Sequence, residues 1–319
     1  MKILLVAKPW KGGLGRYYFA ALQALFPGEV EWIATRPCSL KERIAFRCDP
    51  QGWRRALIRR INESDYAAAI FISHRKEFRD LKPRANNILY LIDDVHLMPG
   101  DAAPFGRVFL SDPGYEPELL AVLQPGQYGG VLPFAFDPAL HCPAPFAGTK
   151  RDICFIGNRD AKRDPYLASL FAQGYRPLIV GNYFMKSRLF WYYPLSFRLA
   201  VANDGMGMIY ARHKISLNIH ARVVRQGTNM RTFECAGYGI PQVVEYREGI
   251  EKYFEPDQEI LFYRDEAEML AQIRFLLEDS SRAALMAEKA RHRALAEHTY
   301  RHRVQTLLRD ILPVRYKAP

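Results

Sequence analysis

The chain has 319 residues, of which 49% are hydrophobic and 25% charged; that is enough for two domains of ordinary size, and no segment is poor enough in apolar residues to resist folding. A formal charge of +11 favours anionic partners (nucleic acid, anionic lipid or phosphorylated small molecules), and part of it is simply a basic surface. Five cysteines, Cys38, Cys48, Cys142, Cys154 and Cys235, form no CxxC pair and no zinc-spaced cluster, which argues against a structural metal site and for reduced thiols, with Cys154 and Cys235 buried in apolar runs.

The chain opens MKILLVAKPW, whose apolar run Ile3–Ala7 is too short for a secretory signal, and nothing approaches the roughly 20 apolar residues that span a bilayer. A cytoplasmic protein is expected, with peripheral attachment at the inner membrane face left open. Ile3–Val6 reads as a buried strand, the glycine turn at 11–15 follows it, and Tyr17–Leu25 has a helical pattern. Glu29–Ala34 is a second strand. Trp53, Leu57, Ile58 and Ile61 recur at helical spacing, and Ala67–Ile72 is a continuous apolar run, as in a strand covered on both faces. Ile88–Ile92, Arg107–Leu110 and Gly130–Leu132 are further short strands. The stretch HCPAPFAGTK, His141–Lys150, reads as a linker.

A second series follows, with strands Asp152–Ile156, Pro177–Val180, Ile215–Ile219, Gln242–Glu245 and Glu259–Tyr263, and helices Met230–Gly237, Glu266–Leu277 and Ser281–Leu312. Strands alternating with helices imply parallel sheets. The predicted class is α/β with two Rossmann-like domains in tandem, facing a central cleft onto which the carboxyl ends of the strands open.

Chemistry-bearing residues gather at those carboxyl ends. Gly12, Gly13 and Gly15 lie between the first strand and its helix, where backbone amides approach an anion closely, although the spacing is not the dinucleotide fingerprint. Gly157, Asn158 and Arg159, then Lys162 and Arg163, follow the first strand of the second series, where a glycine lets a ligand approach the backbone and the cations form a basic turn. The segment from Gln226 through Gly227, Thr228, Asn229, Arg231, Thr232 and Glu234 joins a loop to a short helix. Arg231 can grip a diphosphate with its planar fork, and Glu234 can accept two hydrogen bonds from a ribose diol or, more plainly, complement the helix dipole. In the first series, Asp93, Asp94 and His96 follow one strand and His74 another, as candidate general bases; Ser111 and Asp112 are outside candidates.

The second half resembles the donor-binding core of group 1 glycosyltransferases of GT-B fold, and in particular the spore-maturation CgeB-like branch. The resemblance is carried by Lys214-Ile-Ser-Leu-Asn218-Ile-His220, by Asn229-Met-Arg-Thr-Phe-Glu234-Cys-Ala236 with Gly239, by Gly249, Ile250, Phe254 and Glu259, and by the closing stretch His298–Arg303. Leu132-Pro-Phe-Ala-Phe-Asp137 resembles the family's hinge entry. The resemblance implies an N-terminal acceptor domain over 1–145, a nucleotide-sugar domain over 146–298, and a last helix over 299–319 returning to the first domain. It assigns Glu234 to the donor ribose and extends the donor set to Asn218 and His220. Gln226 stands where related retaining enzymes carry a Glu. No metal and no cofactor is expected, the nucleotide-sugar being a substrate and the acceptor a glycan, lipid-linked molecule or protein. An epimerase-type enzyme acting on nucleotide-sugars and a non-catalytic nucleic-acid or anionic-surface module are the alternatives. Two basic segments stay open: Arg54, Arg55, Arg59 and Arg60 on one helix face, and KSRLFWYYPLSFR at Lys186–Arg198, which reads as a packed loop, a headgroup-level surface or a stacking platform.

Overall fold

A computed structural model describes residues 1–10, 12–72, 78–92, 97–201 and 203–312, with backbone alone at Asn203 and Asp204. The chain forms two compact units, Met1–Pro133 with Tyr300–Pro319, and Phe134–Thr299.

The first unit contains β1 (Ile3–Ala7), α1 (Leu14–Leu25), β2 (Val30–Ala34), α2 (Leu40–Cys48), α3 (Pro50–Glu63), β3 (Ala68–Ile72), β4 (Arg84–Leu91), β5 (Phe105–Leu110), α4 (Glu116–Leu120) and β6 (Tyr128–Val131). Its sheet is six-stranded and parallel in the order β2-β1-β3-β4-β5-β6. Every residue of β1 and β3 is buried, as their unbroken apolar runs require of strands covered on both faces. Helix α2 was not expected; the signal for it is the capping box of Ser39 and Glu42, where each side chain satisfies the other's backbone amide.

The second unit contains β7 (Arg151–Ile156), α5 (Arg163–Ala172), β8 (Leu178–Val180), α6 (Arg188–Tyr192), β9 (Phe197–Arg198), α7 (Asn203–Ala211), β10 (His213–Asn218), α8 (Met230–Tyr238), β11 (Gln242–Glu245), β12 (Leu261–Tyr263), α9 (Glu266–Glu278) and α10 (Ser280–Glu297). Its sheet is again six-stranded and parallel, in the order β12-β11-β10-β7-β8-β9. The chain moves outward from β7 in one direction through β8 and β9 and in the other through β10, β11 and β12. The order therefore reverses between β7 and β10, the place where open α/β sheets leave a crevice for ligands.

The segment read as a linker falls within the second unit, with His141 buried and most of residues 142–150 exposed. Phe136 is fully buried among Phe233, Ala236 and Val244, and its amide donates to His298 O at 3.1 Å. Gly237 makes this packing fit, since a Cβ there would stand 2.3 Å from the Phe136 ring.

The single helix expected over Ser281–Leu312 is two. Helix α10 ends at Glu297, and α11 (Tyr300–Leu308) belongs to the first unit. At the break His298 Nε2 lies 3.0 Å from Tyr253 O, and Thr299 bridges to Phe136; in that bridge the His298 carbonyl accepts from Phe136 N and is lost to a continuous helix. In the first unit Tyr300 stacks on Tyr17 at 5.1 Å and meets Tyr18 edge-on at 5.2 Å.

Candidate functional site at the carboxyl edge of the second sheet

The loops after β7 and β10 flank the point where the strand order reverses. Gly157 donates from its amide to Val180 O at 2.9 Å, and a Cβ on Gly181 would stand 1.9 Å from Gly157 O. Only glycine at 181 lets the two chain ends run this close. Asn158 Oδ1 accepts from Asn182 N at 3.0 Å and Arg159 N donates to Asn182 O at 3.0 Å, tying the two loops together, while Arg159 Nη2 pairs with Asp164 at 2.8 Å. Arg163 is buried and bridges to the next loop, donating from Nε to Ile219 O at 2.9 Å and from Nη1 to Asn158 O. Burial pushes its pKa down, offset in part by Asp160 and Glu245; an arginine stays charged regardless.

The centre of this edge is Glu245, the last residue of β11, which is 2% exposed. Lys162 Nζ reaches its Oε1 at 2.6 Å, Arg247 Nη2 reaches the same oxygen at 2.8 Å, and the amide of His220 donates to Oε2 at 2.9 Å. One buried carboxylate thus gathers two cations that remain about a quarter exposed, Lys162 at 23% and Arg247 at 25%. Burial lowers the Lys162 pKa, with Glu245 working against it. The His220 imidazole is held well below its usual range, first by burial and then by the cations Arg247, Lys162 and Arg163. Its Nε2 meets Thr228 Oγ1 at 3.0 Å.

The first turn of α8 forms the other wall. Asn229 caps the helix, accepting from Thr232 N, and exchanges side-chain amide bonds with Asn218 at 2.9 and 3.0 Å. Asn218 also donates to Thr232 Oγ1 at 2.8 Å, and Thr228 and Thr232 share a 2.5 Å hydroxyl contact. Asn218, His220, Thr228, Asn229 and Thr232, all expected to touch the donor, here bond to one another and fix the loop. Arg231 Nη1 lies 2.5 Å from Glu234 Oε2 and 2.8 Å from Met206 Sδ. Glu234 is fully buried, its pKa raised by burial and pulled back by Arg231, and its other oxygen is 3.6 Å from His141 Nε2. Gln226 donates to Glu248 at 3.2 Å, and Gly227, with φ +65°, donates from its amide to Glu248 O.

In the first unit, Gly12 has φ +76°, Gly13 caps α1, and a Cβ on Gly15 would stand 2.7 Å from Lys8 O. These glycines serve the tight passage from β1 to α1. Asp112 caps a short turn through Gly114 N at 2.8 Å, and Ser111 is buried beside it. His74, Asp93, Asp94 and His96 lie outside the described residues. Among the described residues no three His, Cys, Asp or Glu side chains gather as metal ligands.

The structure adds Glu245, Arg247 and Gly181 to the residues singled out from sequence. Their signal was present but general: each sits at or just past the carboxyl end of a strand.

Two parallel six-stranded sheets of this kind are the α/β architecture of GT-B glycosyltransferase structures. Residues 163–309 match the family model described as glycosyl transferase-like. No curated protein sequence matches the chain. Among solved structures it is similar to HepE of Anabaena in complex with UDP-glucose, with a TM-score of 0.72 at 13% identity over 97% of this chain and 99% of that one. It is similar to sucrose-phosphate synthase from Thermosynechococcus elongatus, with a TM-score of 0.70 at 13% identity over 97% and 99%. It is also similar to WaaG, a glycosyltransferase involved in lipopolysaccharide biosynthesis, with a TM-score of 0.65 at 12% identity over 98% and 100%.

Proposed function

We propose that this protein is a glycosyltransferase that moves a sugar from a nucleotide-sugar, of the UDP-sugar class, to a hydroxyl acceptor, and that the donor binds at the carboxyl edge of the second sheet. The observation that carries the reading is the pair Lys162 and Arg247, gathered on buried Glu245 beside the point of strand-order reversal. Their half-open cations meet a diphosphate there, and their charge compensates the leaving diphosphate as its bond to the sugar breaks. This assigns to side chains the role that a metal fills in other transferases.

The ribose is placed at the first turn of α8. Glu234 is enclosed and engaged by Arg231, so a diol reaches it only when Arg231 turns toward the diphosphate; until then Glu234 holds that guanidinium in place. The matched family model covers these residues, and the UDP-glucose complex of a protein of the same fold supports the donor class. The CgeB-like branch, an acceptor domain built on the first unit, and a base drawn from Asp93, Asp94, His96 and His74 complete the proposal on sequence grounds.

A thermal-shift screen of UDP, GDP, dTDP, CMP and their sugars tests it, since a ligand that binds only the folded state raises the melting temperature. A shift with a uridine diphosphate that is indifferent to EDTA and abolished in Lys162→Ala/Arg247→Ala is expected. Stabilisation that persists undiminished in the double variant would place the donor elsewhere.

A further inference from the structure

Seven large hydrophobic side chains stand exposed within one short segment of the second unit: Tyr183, Met185, Trp191, Tyr192, Leu195, Leu199 and Val201. Leu195 is 83% exposed, Leu199 77% and Tyr192 75%, in a segment that also sends Phe184 and Phe197 into the core and packs the half-buried Phe190 and Tyr193 against it. The segment is therefore anchored from within and apolar without, the reverse of an ordinary surface loop. Local bonds hold the display in place. Trp191 Nε1 donates to Met185 O at 3.1 Å, Phe190 meets Trp191 edge-on at 5.3 Å, and Arg198 Nη1 folds back to Leu195 O at 3.4 Å.

The charge within the segment has one sign. Lys186, Arg188 and Arg198 are exposed, and the chain carries no Asp or Glu between Asp164 and Asp204. Among the described residues none of these three cations takes part in an ion pair. Aliphatic tips, interfacial aromatics and unpaired cations in one patch match the layers of an anionic bilayer: hydrocarbon, headgroup boundary and phosphate.

We propose that residues 183–201 dock this protein on an anionic lipid bilayer. A second copy of the chain fits the patch poorly, because a twofold interface would set Lys186, Arg188 and Arg198 against their own counterparts. The edge strand there, β9, has two residues and offers little backbone for pairing. A nucleic acid would use the aromatics but leave Met185, Leu195, Leu199 and Val201 without a role. The inference is independent of the donor site.

The test is co-sedimentation of the full chain with vesicles of phosphatidylglycerol in phosphatidylcholine, against vesicles of phosphatidylcholine alone. Binding to the anionic vesicles at least about tenfold stronger than to neutral ones, weakened by salt, is expected. Leu195→Ser/Leu199→Ser and Lys186→Glu/Arg188→Glu should each reduce it by a similar factor, with unchanged melting temperature. Bromolipid quenching of tryptophan fluorescence gives a readout that does not depend on those variants: wild type is quenched and Trp191→Phe much less so. Indifference to anionic vesicles overturns the proposal. So does a concentration-dependent dimer that Leu195→Ser/Leu199→Ser dissociates, which gives the patch to a second copy, or preferential binding of single-stranded oligonucleotide over vesicles.

Discussion

The two sheets have the same number of strands and the same parallel sense, yet their described carboxyl edges differ in kind. In the first unit the passage after β1 is governed by close packing: Gly15 against Lys8 O, Tyr17 OH on Gly12 O, and the Tyr17–Tyr300 stack behind them. In the second unit the edge is a polar lattice, with Glu245 gathering Lys162, Arg247 and the His220 amide. One architecture thus carries a backbone-shaped edge and a charge-shaped edge, and the difference lies in the few residues just past each strand. Function is grafted onto such positions and is not implied by the sheet itself.

The largest test of that contrast is steric. Gly181→Ala must push Gly157 O away from a Cβ built at 1.9 Å, in backbone that has little freedom to move. We expect a loss of roughly 3 kcal/mol by urea denaturation, at the upper end of overpacking costs. A neutral Gly181→Ala would mean that the ends of β7 and β8 are not held together as described.

Next comes the charge lattice. Glu245→Gln removes the anion but keeps the shape, leaving Lys162 and Arg247 facing a neutral amide. A cost of about 2 kcal/mol is expected, less than for a fully buried pair because both cations are partly solvated. If a double-mutant cycle of Glu245→Gln with Lys162→Met gives no coupling, the lattice is decorative.

Ligand binding should be separable from stability. Lys162→Ala should weaken a uridine diphosphate about tenfold, or about 1.4 kcal/mol, by titration calorimetry. Arg60→Ala, which loses only the exposed pair with Glu31, should leave binding unchanged and stability within about 0.5 kcal/mol.

The pH profile offers a finer test, with two groups of opposite sign. The raised pKa of Glu234 means the folded state holds its proton more tightly, so stability falls as pH rises from the usual 4.5 through the raised value. The lowered pKa of His220 means the unfolded state takes the proton first, so stability falls as pH drops below the usual 6.5. Glu234→Gln should abolish the first slope and keep the second in melting temperatures recorded from pH 4 to 8 (about that range, chosen to bracket both groups). An unchanged profile in the variant would place Glu234 in contact with water.

The sequence made most of this fold legible because its strands are parallel and covered on both faces, so β1 and β3 appear as unbroken apolar runs. What escaped was settled by tertiary contacts. Helical periodicity runs on through Ser281–Leu312, and only the bonds of His298 and Thr299 to Tyr253 and Phe136 reveal the break. The proline-rich stretch from His141 reads as a linker throughout, and the burial of its first residue, whose Nε2 lies 3.6 Å from Glu234, shows only in the fold. At the candidate site the motif around Asn229 and Glu234 stood out through its residue types. Glu245 did not, since nothing in QVVE distinguishes a strand end on the surface from a carboxylate that collects two cations.

The central claim, that a nucleotide-sugar binds on the charge-shaped edge of the second unit, is tested most directly by hydrogen–deuterium exchange of the full chain with and without UDP-glucose. The account predicts added protection in peptides spanning Gly157–Arg163, Gly227–Thr232 and Glu245–Gly249, lost in Lys162→Ala/Arg247→Ala. Bound ligand with protection confined to peptides of the first unit, such as those around Gly12–Gly15, would contradict it.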